Sequence, residues 1–176
     1  MPSFVIHLKS ATERQCLIED LKRECPSLEI WNAVPGGVKG CLMSHLTMYE
    51  EMIRRGELKW LVFEDDCEVL ESFSTVKFPE ADVFLLGANE YVNSVKGECF
   101  SQVNRFWGTH AMIMTKQGAE CILKAYRECH PAIPFDWLVN YAIEKKGLNV
   151  KGFLECKQYV RQKPGLKSAI TGNIRL

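Results

Sequence analysis

Trp60-Leu61-Val62-Phe63-Glu64-Asp65-Asp66 is the stretch on which the reading of this chain turns. Four apolar residues without a polar interruption make a strand covered on both faces, as in a parallel sheet flanked by helices. Three carboxylates follow at once. Adjacent anions at the end of a buried strand repel one another and lose hydration, so they need a cation nearby. In an extended segment Glu64 and Asp66 share one side and Asp65 faces the other. A hard divalent cation, Mg²⁺ or Mn²⁺, suits such a set, because it divides its oxygen ligands between one or two carboxylates and substrate phosphates. The plainer alternative is a solvated acidic turn leading into a strand at Cys67-Glu68-Val69-Leu70.

On either side of this stretch, strand and helix patterns alternate. Phe4-Val5-Ile6-His7-Leu8 reads as a buried strand, and Ser10-Ala11-Thr12-Glu13 has the form of a capping box that opens a helix. Leu17, Leu21 and Cys25 then recur at helical spacing until Pro26. Leu28 to Val34 is a second strand, broken by Pro35-Gly36-Gly37, and a helix is expected from about Cys41 to Arg55, stopped by Gly56. Asp82 to Leu86 and Ala111 to Met114 are further strands, and residues 88–106 read as a functional loop or small hairpin. Thr115 is placed to cap a helix, a last helix spans roughly Phe135 to Lys146, and Val150 to Leu154 forms a final strand. The pattern predicts an α/β sandwich with a mixed, mostly parallel sheet, in which ligands gather at the carboxyl ends of the strands. Residues 1–162 are expected to form one domain and 163–176 a tail.

Composition narrows the function classes. The 176 residues carry 22 Lys+Arg and 22 Asp+Glu, so the formal charge is zero and a general nucleic-acid surface is not expected. Hydrophobic residues make up 47%, which is ordinary for a folded domain, yet no apolar run approaches the ~20 residues of a membrane span. The start lacks the pattern of a secretory signal, so a cytoplasmic location is expected. Eight cysteines stand without a C-x-x-C pair, so reduced thiols are expected in place of a disulfide or zinc framework.

Several motifs in order resemble glycosyltransferase family 25, the group of lipooligosaccharide and collagen galactosyltransferases. They are Val5-Ile6-His7-Leu8 with Arg14, then Trp31-Asn32-Ala33-Val34, then Gly40-Cys41-Leu42-Met43-Ser44-His45-Leu46 in the family's G-C-x-x-S-H form. Next come Leu61 to Asp66, Gly108-Thr109-His110-Ala111 with Gly118-Ala119, Pro134-Phe135-Asp136, and Val160-Arg161-Gln162. His7 stands where the family commonly has Asn, and Lys39 replaces an acidic residue. The chain is similar to compact members of the kind carried by large DNA viruses.

The resemblance implies a GT-A-like Rossmann-type fold and inverting transfer of a hexose, galactose or glucose, from a UDP-sugar to a hydroxyl of a glycan or glycoprotein. It implies Mn²⁺ or Mg²⁺ on Asp66 and Glu64, with His110 a further candidate, to offset charge on the departing diphosphate. Leu8, Arg14, Ala33, Gly40, Ser44, His45 and Asp65 become candidates for donor binding. Gly40 would let a phosphate approach free amides near a helix start. Ser44 has the alternative of bonding back to its helix, and His45 that of a core histidine. Asp136 is the first candidate base and Glu90 the second; an Asp there also suits a helix N-terminus. Trp107 and Trp137 are candidates for an acceptor site, and Arg161 and Gln162 for closing over the donor. Two other classes fit the triplet: a Mg²⁺-dependent phosphohydrolase or receiver-like phosphoacceptor using Lys116, and a non-catalytic module that binds sugar nucleotide or glycan.

Overall fold

In the computed structural model, which describes residues 1–96, 100–129, 133–153 and 158–166, the Trp60 strand lies inside an eight-stranded sheet. The chain runs β1 (Ser3–His7), α1 (Gln15–Glu24), β2 (Leu28–Asn32), α2 (Gly37–Arg55), β3 (Lys59–Glu64) and β4 (Cys67–Val69). It continues through β5 (Val83–Gly87), β6 (Glu90–Lys96), β7 (Phe100–Trp107), β8 (Ala111–Thr115), α3 (Lys116–Tyr126), α4 (Phe135–Lys146), β9 (Val150–Phe153) and β10 (Val160–Gln162). The order across the main sheet is β2-β1-β3-β8-β5-β9-β7-β6, while β4 pairs with β10 in a separate two-stranded sheet. Only β7 and β8 run against the other strands, so the sheet is mixed with most strands pointing one way.

The alternation within each buried strand builds two cores. Trp60 and Val62 of β3, with Phe4, Leu85 and Met112, pack under α2, α3 and α4. Leu61 and Phe63, with Val5, Phe84 and Ile113, pack under Ile18 and Leu21 of α1 on the opposite face. Apolar side chains on both sides of one strand are what the unbroken run demands.

Two local expectations are corrected. The Ser10 capping box does not form: the chain makes a short 3-10 turn over Thr12–Arg14 with no side-chain cap, and α1 begins at Gln15. That turn is held by Arg14 N–H donating to Ala11 O at 3.1 Å, and it leaves Arg14 buried. Helix α2 starts four residues earlier than expected, because Gly36 (φ 123°) and Gly37 (φ 58°) end the β2 connection and open the helix at once. Of the two readings of residues 88–106, the hairpin holds: β6 and β7 pair antiparallel, with Glu90 opposite Trp107. Thr115 does cap α3, accepting from Gly118 N–H at 3.1 Å.

Strand β10 docks back onto the sheet. Val160 O lies where a Cβ on Gly87 would come to 1.7 Å, so only glycine admits it. Among the described residues no helix is long and apolar enough to cross a membrane, and Cys16, Cys25, Cys67, Cys121 and Cys129 are free thiols.

Candidate functional site

Strand β1 leads through α1 to β2 on one side of it and, through α2, to β3 on the other. The connections pass on opposite faces, so the strand order reverses between β1 and β3, and ligands in open α/β sheets bind beyond the carboxyl ends at such a point. A cleft lies there. It is lined by Leu8, Arg14, Ala33, Ser44, His45 and the whole Glu64-Asp65-Asp66 triplet, with Pro35, Gly36, Gly37 and Cys41 on its α2 side. Eight residues singled out from the sequence therefore share one wall.

The cation that answers the triplet's charge is, first of all, Arg14. Its guanidinium is 4% exposed, donates to Asp65 Oδ1 and lies 3.7 Å from Asp66 Oδ2. Burial works against its charge, but the fields of Asp65 and Asp66 prevail and raise its pKa. Asp65 also receives Leu8 N–H at 3.3 Å and pairs with His7 Nδ1 at 2.8 Å. This carboxylate ties β1 to β3 and is fully engaged by the protein. The His7 departure has a use: its ring nitrogen reaches Asp65.

The expected side-sharing of Glu64 and Asp66 is not seen, because the extended backbone ends at Glu64 and a turn follows. Glu64 heads toward α2, accepting from Thr109 Oγ1 at 3.1 Å with His45 Nε2 at 3.6 Å. Asp66 is 5% exposed, and its Oδ2 accepts from Gln162 Nε2 at 2.7 Å. Its other oxygen, Oδ1, is buried and has no hydrogen-bond partner among the described residues. An orphaned carboxylate oxygen in a cleft is costly unless a ligand meets it, so Asp66 fits a cation and Asp65 does not.

Gly40 approaches backbone, but the chain's own. A Cβ there would lie 2.3 Å from Val34 O, and Gly40 N–H already donates to Gly36 O at 3.2 Å, so it offers no free amide. Ser44 Oγ both donates to Gly40 O at 2.7 Å and accepts from Val34 N–H at 2.8 Å, fixing the loop that carries Ala33. His45 is wholly buried, stacked on Phe135 at 3.8 Å with rings 5° apart. Burial pushes its pKa down to about 3, so the ring is neutral. Phe135 thereby ties the start of α4 to the α2 helix that carries His45.

The other predicted residues lie around this wall or away from it. Asp136 Oδ2 accepts from Gly108 N–H at 3.1 Å and Oδ1 from Trp137 N–H at 3.0 Å. His110 is buried with Nε2 facing Asn89 Oδ1 at 3.0 Å, and it does not line the cleft. Glu90's side chain lies outside the described ones. Gln162 Nε2 donates to Asp66, and Arg161 pairs with Glu68. Lys116 follows the end of β8 that pairs with the start of β3, at the opposite end of the sheet from the triplet; this removes the receiver-like arrangement. Trp137 is 54% exposed beside Asn104, Arg105 and Tyr141, and Trp107 lies under the Arg105 guanidinium at 4.9 Å. Sequence reasoning gave no role to Cys41, Thr109 or Asn89. Cys41 and Thr109 sit inside quoted motifs, but their partners are distant in sequence.

Fold and cleft define a GT-A-like Rossmann-type α/β protein. A family model described as glycosyltransferase family 25 (LPS biosynthesis protein) matches residues 29–81, which hold β2, the G-C-x-x-S-H segment and the triplet. No curated protein matches the chain in sequence. Among solved structures, A197 from STIV is 13% identical with a TM-score of 0.55, over 93% of this chain and 94% of that one. A glycosyltransferase involved in the glycosylation of the major capsid of PBCV-1 is 10% identical with a TM-score of 0.51, over 84% and 77%. CTP:phosphocholine cytidylyltransferase (LicC) from Streptococcus pneumoniae is 12% identical with a TM-score of 0.50, over 92% of both chains. At these identities the likeness is one of fold.

Proposed function

We propose that this chain is a metal-dependent inverting glycosyltransferase that moves a hexose, galactose or glucose, from a UDP-sugar to a hydroxyl of a glycan or glycoprotein. The observation that carries the reading is the buried Oδ1 of Asp66, without a partner among the described residues, in a cleft at the strand-order reversal. Asp66, with Glu64 second, would hold Mn²⁺ or Mg²⁺, which when bound offsets the charge that builds on a departing diphosphate. Leu8, Ala33 and the Pro35-Gly36-Gly37 lip would take the nucleoside. Arg14, already engaged by Asp65, keeps the triplet's net charge low enough for a diphosphate to approach. Asp136 is the base in this reading: its carboxylate is oriented by the amides of Gly108 and Trp137 at the start of α4. In-line displacement requires it to take the acceptor hydroxyl's proton from the face opposite the leaving group. Trp137 and Tyr141 would pack against the acceptor sugar.

The test is calorimetry with UDP and UDP-sugars. UDP binds in the presence of Mn²⁺, and Asp66→Asn, which keeps the shape and removes the charge, weakens that binding by at least about tenfold, or ~1.4 kcal/mol. No UDP or UDP-sugar binding by the wild-type chain with Mn²⁺ present would sink the proposal.

A further inference from the structure

On the α2 side of the cleft, the ligand-type atoms of Cys41, His45 and Glu64 all lie within 4.8 Å of one another. Cys41 and His45 are four residues apart on one helix, hence on one face, and Glu64 comes from the end of β3. We infer that these three side chains form a second cation site, for a borderline-soft divalent metal of the zinc class. It stands on geometry alone and does not depend on the transfer reaction.

The ring of His45 fixes the argument. Tyr49 Oη donates to Met112 Sδ at 3.6 Å, so its oxygen is left to accept from His45 Nδ1–H at 3.2 Å. In the proposed site this is the tautomer that binds, with the Nε2 lone pair bare. Among the described residues Nε2 is buried without a hydrogen-bond partner, and Glu64 Oε1 lies 3.6 Å from it. Two lone pairs facing each other in a buried setting repel; an electrophile between them reverses the sign. Two ligands each about 2.1 Å from one tetrahedral ion are roughly 3.4 Å apart. The 3.6 Å observed is therefore too long for a charge-assisted hydrogen bond and close to the spacing across a metal ion.

The donor set selects the metal. Imidazole, carboxylate and thiolate together favour Zn²⁺ or Co²⁺ over Mg²⁺ and Mn²⁺, which prefer oxygen. The Cys41 thiol gives its proton to solvent as the metal binds. Three protein ligands leave a fourth position, which opens on the cleft lined by the same residues, as in zinc sites that take a water or a substrate oxygen. His45 also has the orienting partner such ligands require, since Tyr49 fixes its other nitrogen. When this site is filled Glu64 serves it, and Asp66, the first ligand of the proposed oxygen-bound cation, is untouched.

The chelator-treated full chain, titrated with Co²⁺ and then with Zn²⁺, tests the site. One Co²⁺ per chain is expected, with a thiolate-to-cobalt charge-transfer band in the near ultraviolet that Zn²⁺ abolishes by displacement. Cys41→Ser, a half-buried and nearly isosteric change, loses that band and weakens Zn²⁺ binding by about tenfold or more, while its melting temperature in chelator stays that of the wild type. His45→Gln gives the same spectral result where it folds. Asp66→Asn keeps the cobalt band even if Mn²⁺-dependent UDP binding is lost, which separates this inference from the proposed reaction. Absence of a thiolate band in the wild type, or a band of equal strength in Cys41→Ser, overturns the site.

Discussion

Replacing Arg14 with methionine removes a buried cation while keeping most of the side-chain volume. At an effective dielectric constant of about 20, opposite charges 3.7 Å apart, the Arg14–Asp66 spacing, attract by about 4 kcal/mol. Asp65 lies closer still, and the desolvation of the guanidinium offsets part of both terms. Truncating one partner of a buried pair leaves the other charge stranded, and the usual cost is about 3–5 kcal/mol. Against a typical total of about 5–15 kcal/mol, Arg14→Met should therefore remove roughly a fifth or more of the stability. Urea unfolding followed by circular dichroism, in chelator, measures this directly. Arg14→Met combined with Asp65→Asn should recover about half of the loss, because one stranded charge is gone. Mn²⁺ should then stabilise Arg14→Met more than the wild type, since a metal can take the vacated role. A loss below about 1 kcal/mol, the scale of a solvent-exposed pair, would refute the reasoning. So would a double variant no more stable than Arg14→Met.

Two further outcomes test the cleft and the thiols. Gly40→Ala drives a Cβ to within 2.3 Å of Val34 O, a backbone atom that cannot swing away; overpacking of this kind should cost about 1–3 kcal/mol in thermal melts and weaken UDP by displacing the Val34-Pro35 lip. Burial raises the Cys25 thiol to about 11 from an ordinary 9.0, so at pH 8 its reactive thiolate is about a hundredfold scarcer than that of an unshifted thiol. Iodoacetamide with peptide mapping should label exposed Cys16 first, and Cys25 should speed up as the pH rises toward 11.

Much of the fold was legible because it rests on local periodicity. The unbroken run at Trp60 to Phe63 demanded cover on both faces, and both cores supply it. The last helix falls on Phe135–Lys146, where Gly147 ends it in the left-handed conformation that glycine favours. Helix starts were less legible. The Ser10 signal lost to a 3-10 turn that buries Arg14, and the Pro35-Gly36-Gly37 break proved to be the mouth of α2.

The residue types needed for a charged cleft, and their order along the chain, were set by the sequence alone. Which of them meet was decided by folding. Sequence spacing assigns alternate sides to Glu64, Asp65 and Asp66 only while the backbone stays extended, and it turns after Glu64. Their partners come from 45 to 96 positions away: Arg14 for Asp65, Thr109 for Glu64, Gln162 for Asp66. No local period encodes such pairings, because they follow from the stacking of β1 on β3 and the return of β10. For the same reason a triplet that reads as three equivalent acids becomes one structural tie, one bridge toward α2 and one oxygen left open.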